Sequence, residues 1–171
     1  MPIQADPSIL WTIFKRDFDK RAGKVFIAMS FQDERRLESV GKAVTEALES
    51  FNTAHPNTPL SPARVDKQKG RSYEIPARIF SEIDESRLLI ADLTDEKPNV
   101  YCEVGYAKSK GIPFILTYHQ KTKVDMPPWE RKSASGNKVH FDLAPYRYIA
   151  YDDAIQLRDK LKVELNAWFE E

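Results

Sequence analysis

Two carboxylates and one hydroxyl stand where they could do chemistry. Asp92 closes an apolar run, Arg87–Leu93 (RLLIADL), and Glu103 falls in about the first turn of the helical segment that follows. Ser30 ends another apolar run, Lys24–Ser30 (KVFIAMS). A carboxylate near a helix N-terminus sits in a partial positive field, which favours its ionised form and also favours anionic ligands. Metal chemistry has no comparable support. The chain has one cysteine, Cys102, and three scattered histidines, His55, His119 and His140. That excludes a thiolate-rich zinc site and an intrachain disulfide, and leaves no metal-ligand spacing. No metal and no cofactor are expected.

The elements that must position these groups alternate in type. Residues 24–30 and 87–93 read as buried strands, Pro113–Tyr118 as another strand, and Ala63–Asp66, Lys138–Asp142 and Tyr146–Tyr151 as short ones. Residues 34–51 place Leu37, Val40, Val44, Leu48 and Phe51 at helical steps. Residues 72–85 do the same with Ile75, Ile79 and Ile83. Val100–Lys110 is a helix with Asn99 as its N-cap and Gly111 as its C-terminal stop. Residues 152–170 close the chain as a helix carrying Leu157, Leu161, Leu165 and Trp168. The order implies an α/β fold: a flavodoxin-like (Rossmann-like), mostly parallel five-stranded sheet, order 2-1-3-4-5, with helices on both faces. Ligands of such sheets bind beyond the carboxyl ends of the strands, where the strand order reverses. Here that point lies between the first and third strands, so Ser30, Asp92 and Glu103 converge.

Size and charge restrict the setting. The 171 residues suffice for one domain, residues 23–171, preceded by a helical extension over 1–22 with its periodic stretch at 8–20. Lys plus Arg and Asp plus Glu number 26 each, a balance that argues against a duplex nucleic acid partner. No apolar run approaches a membrane span, and the N-terminus lacks a signal-peptide pattern. The expected location is the cytoplasm.

The stretch from Ser86 through Asp92, Asn99, Val100, Glu103, Gly105 and Tyr106 to Ala107 resembles the signature of nucleoside 2-deoxyribosyltransferase-like proteins. That superfamily includes nucleotide N-glycosidases and is related in fold to Toll/interleukin-1 receptor domains that cleave NAD. Phe26–Phe31, Phe141–Leu143 and Tyr148–Tyr151 are similar to small bacterial members. The resemblance implies cleavage or transfer at the N-glycosidic bond of a nucleoside, nucleotide or NAD. It makes Glu103 the nucleophile and Asp92 its helper. Met29, Ser30, Phe31, Asp66, Asn99 and Tyr101 are then the candidate substrate-binding residues. The implied chemistry is coherent: breaking an N–C1′ bond develops oxocarbenium character, which a carboxylate stabilises or traps. The alternative is a non-catalytic nucleotide-binding or signalling module of the same fold, or a scaffold that assembles through its surface. Related transferases complete their pocket with a neighbouring subunit, so a homo-oligomer is expected, with Trp11 and Phe14 offering an apolar surface.

Each residue also has a plainer reading. Glu103 is then a helix glutamate favoured by the dipole, Asp92 a turn cap and Ser30 a loop hydroxyl. Cys102 points away from Glu103 into the core, and Tyr101 and Tyr106 are packing aromatics. Lys67, Lys69 and Arg71 form either a solvated loop or a phosphate site. The long polar segment 119–138, with Trp129, is either a lid or a loop held by its own packing; His119 and His140, which flank it, are ordinary histidines.

Overall fold

The computed structural model describes residues 23–30, 33–64, 75–120, 143 and 146–169. Five strands form one parallel sheet in the order β2-β1-β3-β4-β5. They are β1 (Lys24–Ala28), β2 (Ser61–Ala63), β3 (Leu88–Asp92), β4 (Phe114–His119) and β5 (Tyr148–Tyr151). The helices are α1 (Glu34–Ala54), α2 (Ile75–Asp84), α3 (Pro98–Ser109) and α4 (Ala154–Phe169). This is the flavodoxin-like order that the sequence implies. The expected helix over 8–20 and strand over 138–142 lie outside the described residues.

Period-two alternation divides the core between the two sheet faces. Val25, Ile27, Leu88, Ile90, Ile115, Ile149 and Tyr151 pack with Val44, Leu48 and Phe51 of α1 and Leu157, Leu161 and Leu165 of α4. Phe26, Ala28, Leu89, Ala91 and Leu116 pack on the other face with Ile83 of α2 and Val100, Val104 and Ala107 of α3. The central strand β3 is buried along its whole length, as expected where helices cover both faces.

Local chemistry sets the element ends. Asp33 caps α1, its carboxylate accepting from the Arg36 amide at 3.1 Å. Gly111 terminates α3 in the left-handed region, φ 64°, as a C-terminal glycine should. Gly23 is needed for a different reason: a Cβ there would lie 2.0 Å from the Pro59 carbonyl oxygen. Its own carbonyl accepts from the Ser61 amide at 2.7 Å, which starts the β1–β2 pairing. β2 therefore begins at Ser61, earlier than the expected Ala63, because this bond sets its register against Lys24.

Asn99 is not the N-cap of α3. That place is Lys97, without a side-chain bond, and Pro98 follows at the first helical position. Proline suits that position, since its missing N–H would have no partner there anyway. Cys102 is exposed rather than in the core. The buried stripe of α3 is Val100, Glu103, Val104 and Ala107, and Cys102 lies off it.

Candidate functional site

β1 is flanked by β2 on one side and β3 on the other, so the strand order reverses between β1 and β3. Met29 and Ser30 leave the end of β1, and both are buried. Asp92 ends β3, and Leu93–Lys97 form the turn into α3. Phe31 and Asp66 lie outside the described residues. Asn99 is exposed, whereas Tyr101 packs partly buried against the α2–α3 core.

Glu103 has the least ordinary environment of these groups. It occupies a core-facing position of α3 between Val100 and Ala107, and the residue is only 6% exposed. No hydrogen bond or ion pair from the described residues reaches it. Burial raises its carboxyl from 4.5 to about 7. The expected stabilisation of the ionised form by the helix dipole is thus overridden by desolvation. The helix starts at Pro98, which puts Glu103 in the second turn, where the terminal field has largely decayed. A buried carboxylate without a partner is costly to folding. Its presence on an apolar stripe marks a functional candidate.

Asp92 is engaged differently. Its Oδ2 accepts from the Tyr151 hydroxyl at 2.6 Å and from Thr117 Oγ1 at 3.1 Å, and its Oδ1 accepts from the Thr94 amide at 3.1 Å. Thr94 Oγ1 in turn accepts from the His119 amide at 2.9 Å. The network fastens the start of the β3–α3 turn to β4 and β5. By strand alternation Asp92 shares the α1–α4 face with Ile90 and Tyr151, while Glu103 enters from the opposite face on α3. Burial foremost, and then the Asp92 carboxylate, push the Tyr151 phenol far above its ordinary range. That keeps it a neutral donor. Burial, together with the charge of Glu96, pushes the Tyr118 phenol up to about 12.

Sequence reasoning missed three members of this edge: Thr117, Tyr151 and the Arg36–Asp95 ion pair. The pair joins the first turn of α1 to the β3–α3 turn. Only the strand order could have brought Tyr151 to Asp92, since β4 lies between their strands. A separate cleft of about 1160 Å³ runs along α1 and the β2 edge, lined among others by Lys24, Leu37, Gly41, Pro62 and Arg64. None of the described candidate site residues borders it. Among the described residues no cluster of side chains is suited to hold a metal ion, and no helix is long and apolar enough to cross a membrane.

The architecture defines a flavodoxin-like α/β protein with a buried glutamate, without a partner among the described residues, near its topological switch point. No family model and no curated protein sequence matches the chain. Solved structures similar to it include a CMP N-glycosidase, BcmB, from Clostridium botulinum. That likeness has 17% identity, 82% of this chain and 98% of that chain covered, and a TM-score of 0.49. A 2-deoxyribosyltransferase from Leishmania mexicana is similar at 16% identity, 76% and 90% coverage, and a TM-score of 0.47. The TIR domains of the activated Roq1 resistosome are similar at 13% identity, 84% and 83% coverage, and a TM-score of 0.39.

Proposed function

We propose that the chain cleaves or transfers at the N-glycosidic bond of a nucleoside, nucleotide or NAD, with Glu103 as the nucleophile. The observation that carries this reading is the burial of Glu103, without a partner among the described residues, on the apolar stripe of α3 near the switch point. In its ionised form the carboxylate attacks C1′ as the C1′–N bond breaks, and the base departs with the bonding electrons and gains a proton. Water or a second base then displaces the sugar from Glu103 and restores the carboxylate. Asp92 acts from its network as the group that holds the β3–α3 turn, and Ser30 and Tyr101 are the candidate ligand contacts.

A raised carboxyl sets the expected pH dependence. Glu103 must be ionised to attack, so base release rises with pH and passes half-maximum near 7. The test is incubation of the full chain with a panel of nucleosides, nucleotides and NAD, with free base read by chromatography. Base release from at least one of them, with that ascending limb, supports the reading. No release from any, alongside measurable nucleotide binding, would instead favour a non-catalytic binding module.

A further inference from the structure

Glu103 has no polar partner among the described residues to fix where its carboxyl points. Its place is set by the backbone of α3, whose Cα–Cβ bonds tilt towards the helix N-terminus and direct the side chain back at the β3–α3 turn. No side-chain cap fixes the entry of α3: Lys97 at the N-cap makes no such bond, and Pro98 follows without an N–H. The turn is constrained all the same. Leu93 O accepts from the Glu96 amide at 3.0 Å, and Glu96 has φ 49°. Residues other than glycine adopt that left-handed conformation rarely, and only where surrounding contacts enforce it. From the α1 side the turn is held by the Arg36–Asp95 pair. From the other side it is held by a closed circuit of buried groups. Tyr151 Oη donates to Asp92 Oδ2 at 2.6 Å, and Asp92 Oδ1 accepts from the Thr94 amide at 3.1 Å. Thr94 Oγ1 accepts from the His119 amide at 2.9 Å. The His119 ring meets the Tyr151 ring edge-on, with centroids 5.2 Å apart, beside their pairing in the β4–β5 register. Without the Tyr151 hydroxyl, Asp92 Oδ2 keeps only the longer bond from Thr117 Oγ1, 3.1 Å.

We propose that Tyr151 is a positioning residue for Glu103: through Asp92 and Thr94 it fixes the β3–α3 turn, and the turn sets where α3 presents the carboxyl to C1′. This rests on the reading of Glu103 as the nucleophile. It adds a residue of the last strand that packs on the opposite face of the sheet from α3. In-line attack tolerates little displacement, and a shift of about 1 Å in a reacting group can cost about a hundredfold in rate. Recognition of the sugar and base draws on other groups, so the loss falls on kcat rather than KM. Tyr151→Phe separates the two roles of the side chain, because Phe keeps the ring against His119 and removes only the hydroxyl.

The test pairs steady-state kinetics with NMR relaxation of the folded chains, well below the Tm of each variant. The substrates are those that wild type cleaves among the common ribo- and deoxyribonucleosides, their 5′-monophosphates and NAD. Tyr151→Phe should lower kcat by about tenfold or more and change KM by less than about threefold. Thr94→Ala breaks the circuit at another link and should lower kcat to a similar extent. The double variant should fall no further than the worse single one, since links of one network do not add. Relaxation of Tyr151→Phe should show added motion in the amides of residues 93–97, with those of Val44 and Leu48 in α1 unchanged. A kcat within about threefold of wild type in folded Tyr151→Phe would overturn the proposal, as would a loss confined to KM. Independent losses in the two variants, or no added motion in the turn, would overturn it too. If Tyr151→Phe does not fold, Thr117→Val removes the other side-chain donor to Asp92 Oδ2 and takes its place: a loss in kcat at constant KM supports the proposal, and an unchanged kcat overturns it. Added motion in the turn with no base release by wild type from any substrate would keep the circuit as the anchor of α3 and remove the glycosidic reading. Base release with kcat indifferent to Tyr151→Phe would do the reverse.

Discussion

Replacing Glu103 by Gln should stabilise the fold, and should do so more as pH rises. The unfolded chain loses the Glu103 proton near 4.5, whereas the folded chain holds it until about 7. Between those values the unfolded state binds fewer protons, so wild-type stability falls with rising pH. Below 4.5 both states are protonated and above about 7 both are ionised, so the loss is confined to that window. At roughly 1.4 kcal/mol for each pH unit that separates the two values, the burial of this one carboxylate costs about 3 kcal/mol once it is ionised. Gln has nearly the same shape and no charge to desolvate. Urea denaturation of both chains across the window isolates the effect, since other titrating groups are common to them. The advantage of Glu103→Gln should grow by about 3 kcal/mol from about pH 4 to about pH 8. A difference that stays flat across that range would refute the claim that burial raises the Glu103 carboxyl.

Other consequences concern the frame around the site. Tyr151→Phe removes the 2.6 Å bond to Asp92 and should lower stability by about 1.5–3 kcal/mol, as loss of a hydrogen bond to a buried charged group does; chemical denaturation measures it. Gly23→Ala forces a Cβ towards the Pro59 carbonyl and should cost about 1–3 kcal/mol, seen as a lower urea midpoint. Leu161→Ala opens a cavity between α4 and the sheet, where the side chain is fully buried, and should cost about 2–5 kcal/mol with a corresponding fall in Tm.

Much of this architecture is legible in the residues. Uninterrupted apolar runs such as RLLIADL mark strands covered on both faces, and their alternation with helical periods leads to the 2-1-3-4-5 order that is observed. The conspicuous glutamate of the candidate site, Glu103, is also visible from its motif. Its protonation is not, because the dipole argument takes account of the helix end and not of the apolar stripe on which Glu103 lies. The same phase explains Cys102. With Glu103 and Val104 both facing inward, Cys102 is turned about 100° from the one and about 200° from the other, towards solvent. Asn99 is misplaced when its capping preference is weighed ahead of the stronger signal beside it, Pro98. The contacts Tyr151–Asp92 and Arg36–Asp95 depend on side chains meeting across strands and turns, which no local pattern encodes.

The central claim is that Glu103 is the group that breaks the glycosidic bond. Its most direct measurement compares base release by wild type and Glu103→Gln at about pH 8, where the wild-type carboxylate is ionised, with both chains shown to be folded. The account predicts a fall of at least about a thousandfold in the variant, the scale on which loss of a nucleophile is felt. Release by Glu103→Gln within about tenfold of wild type would contradict it.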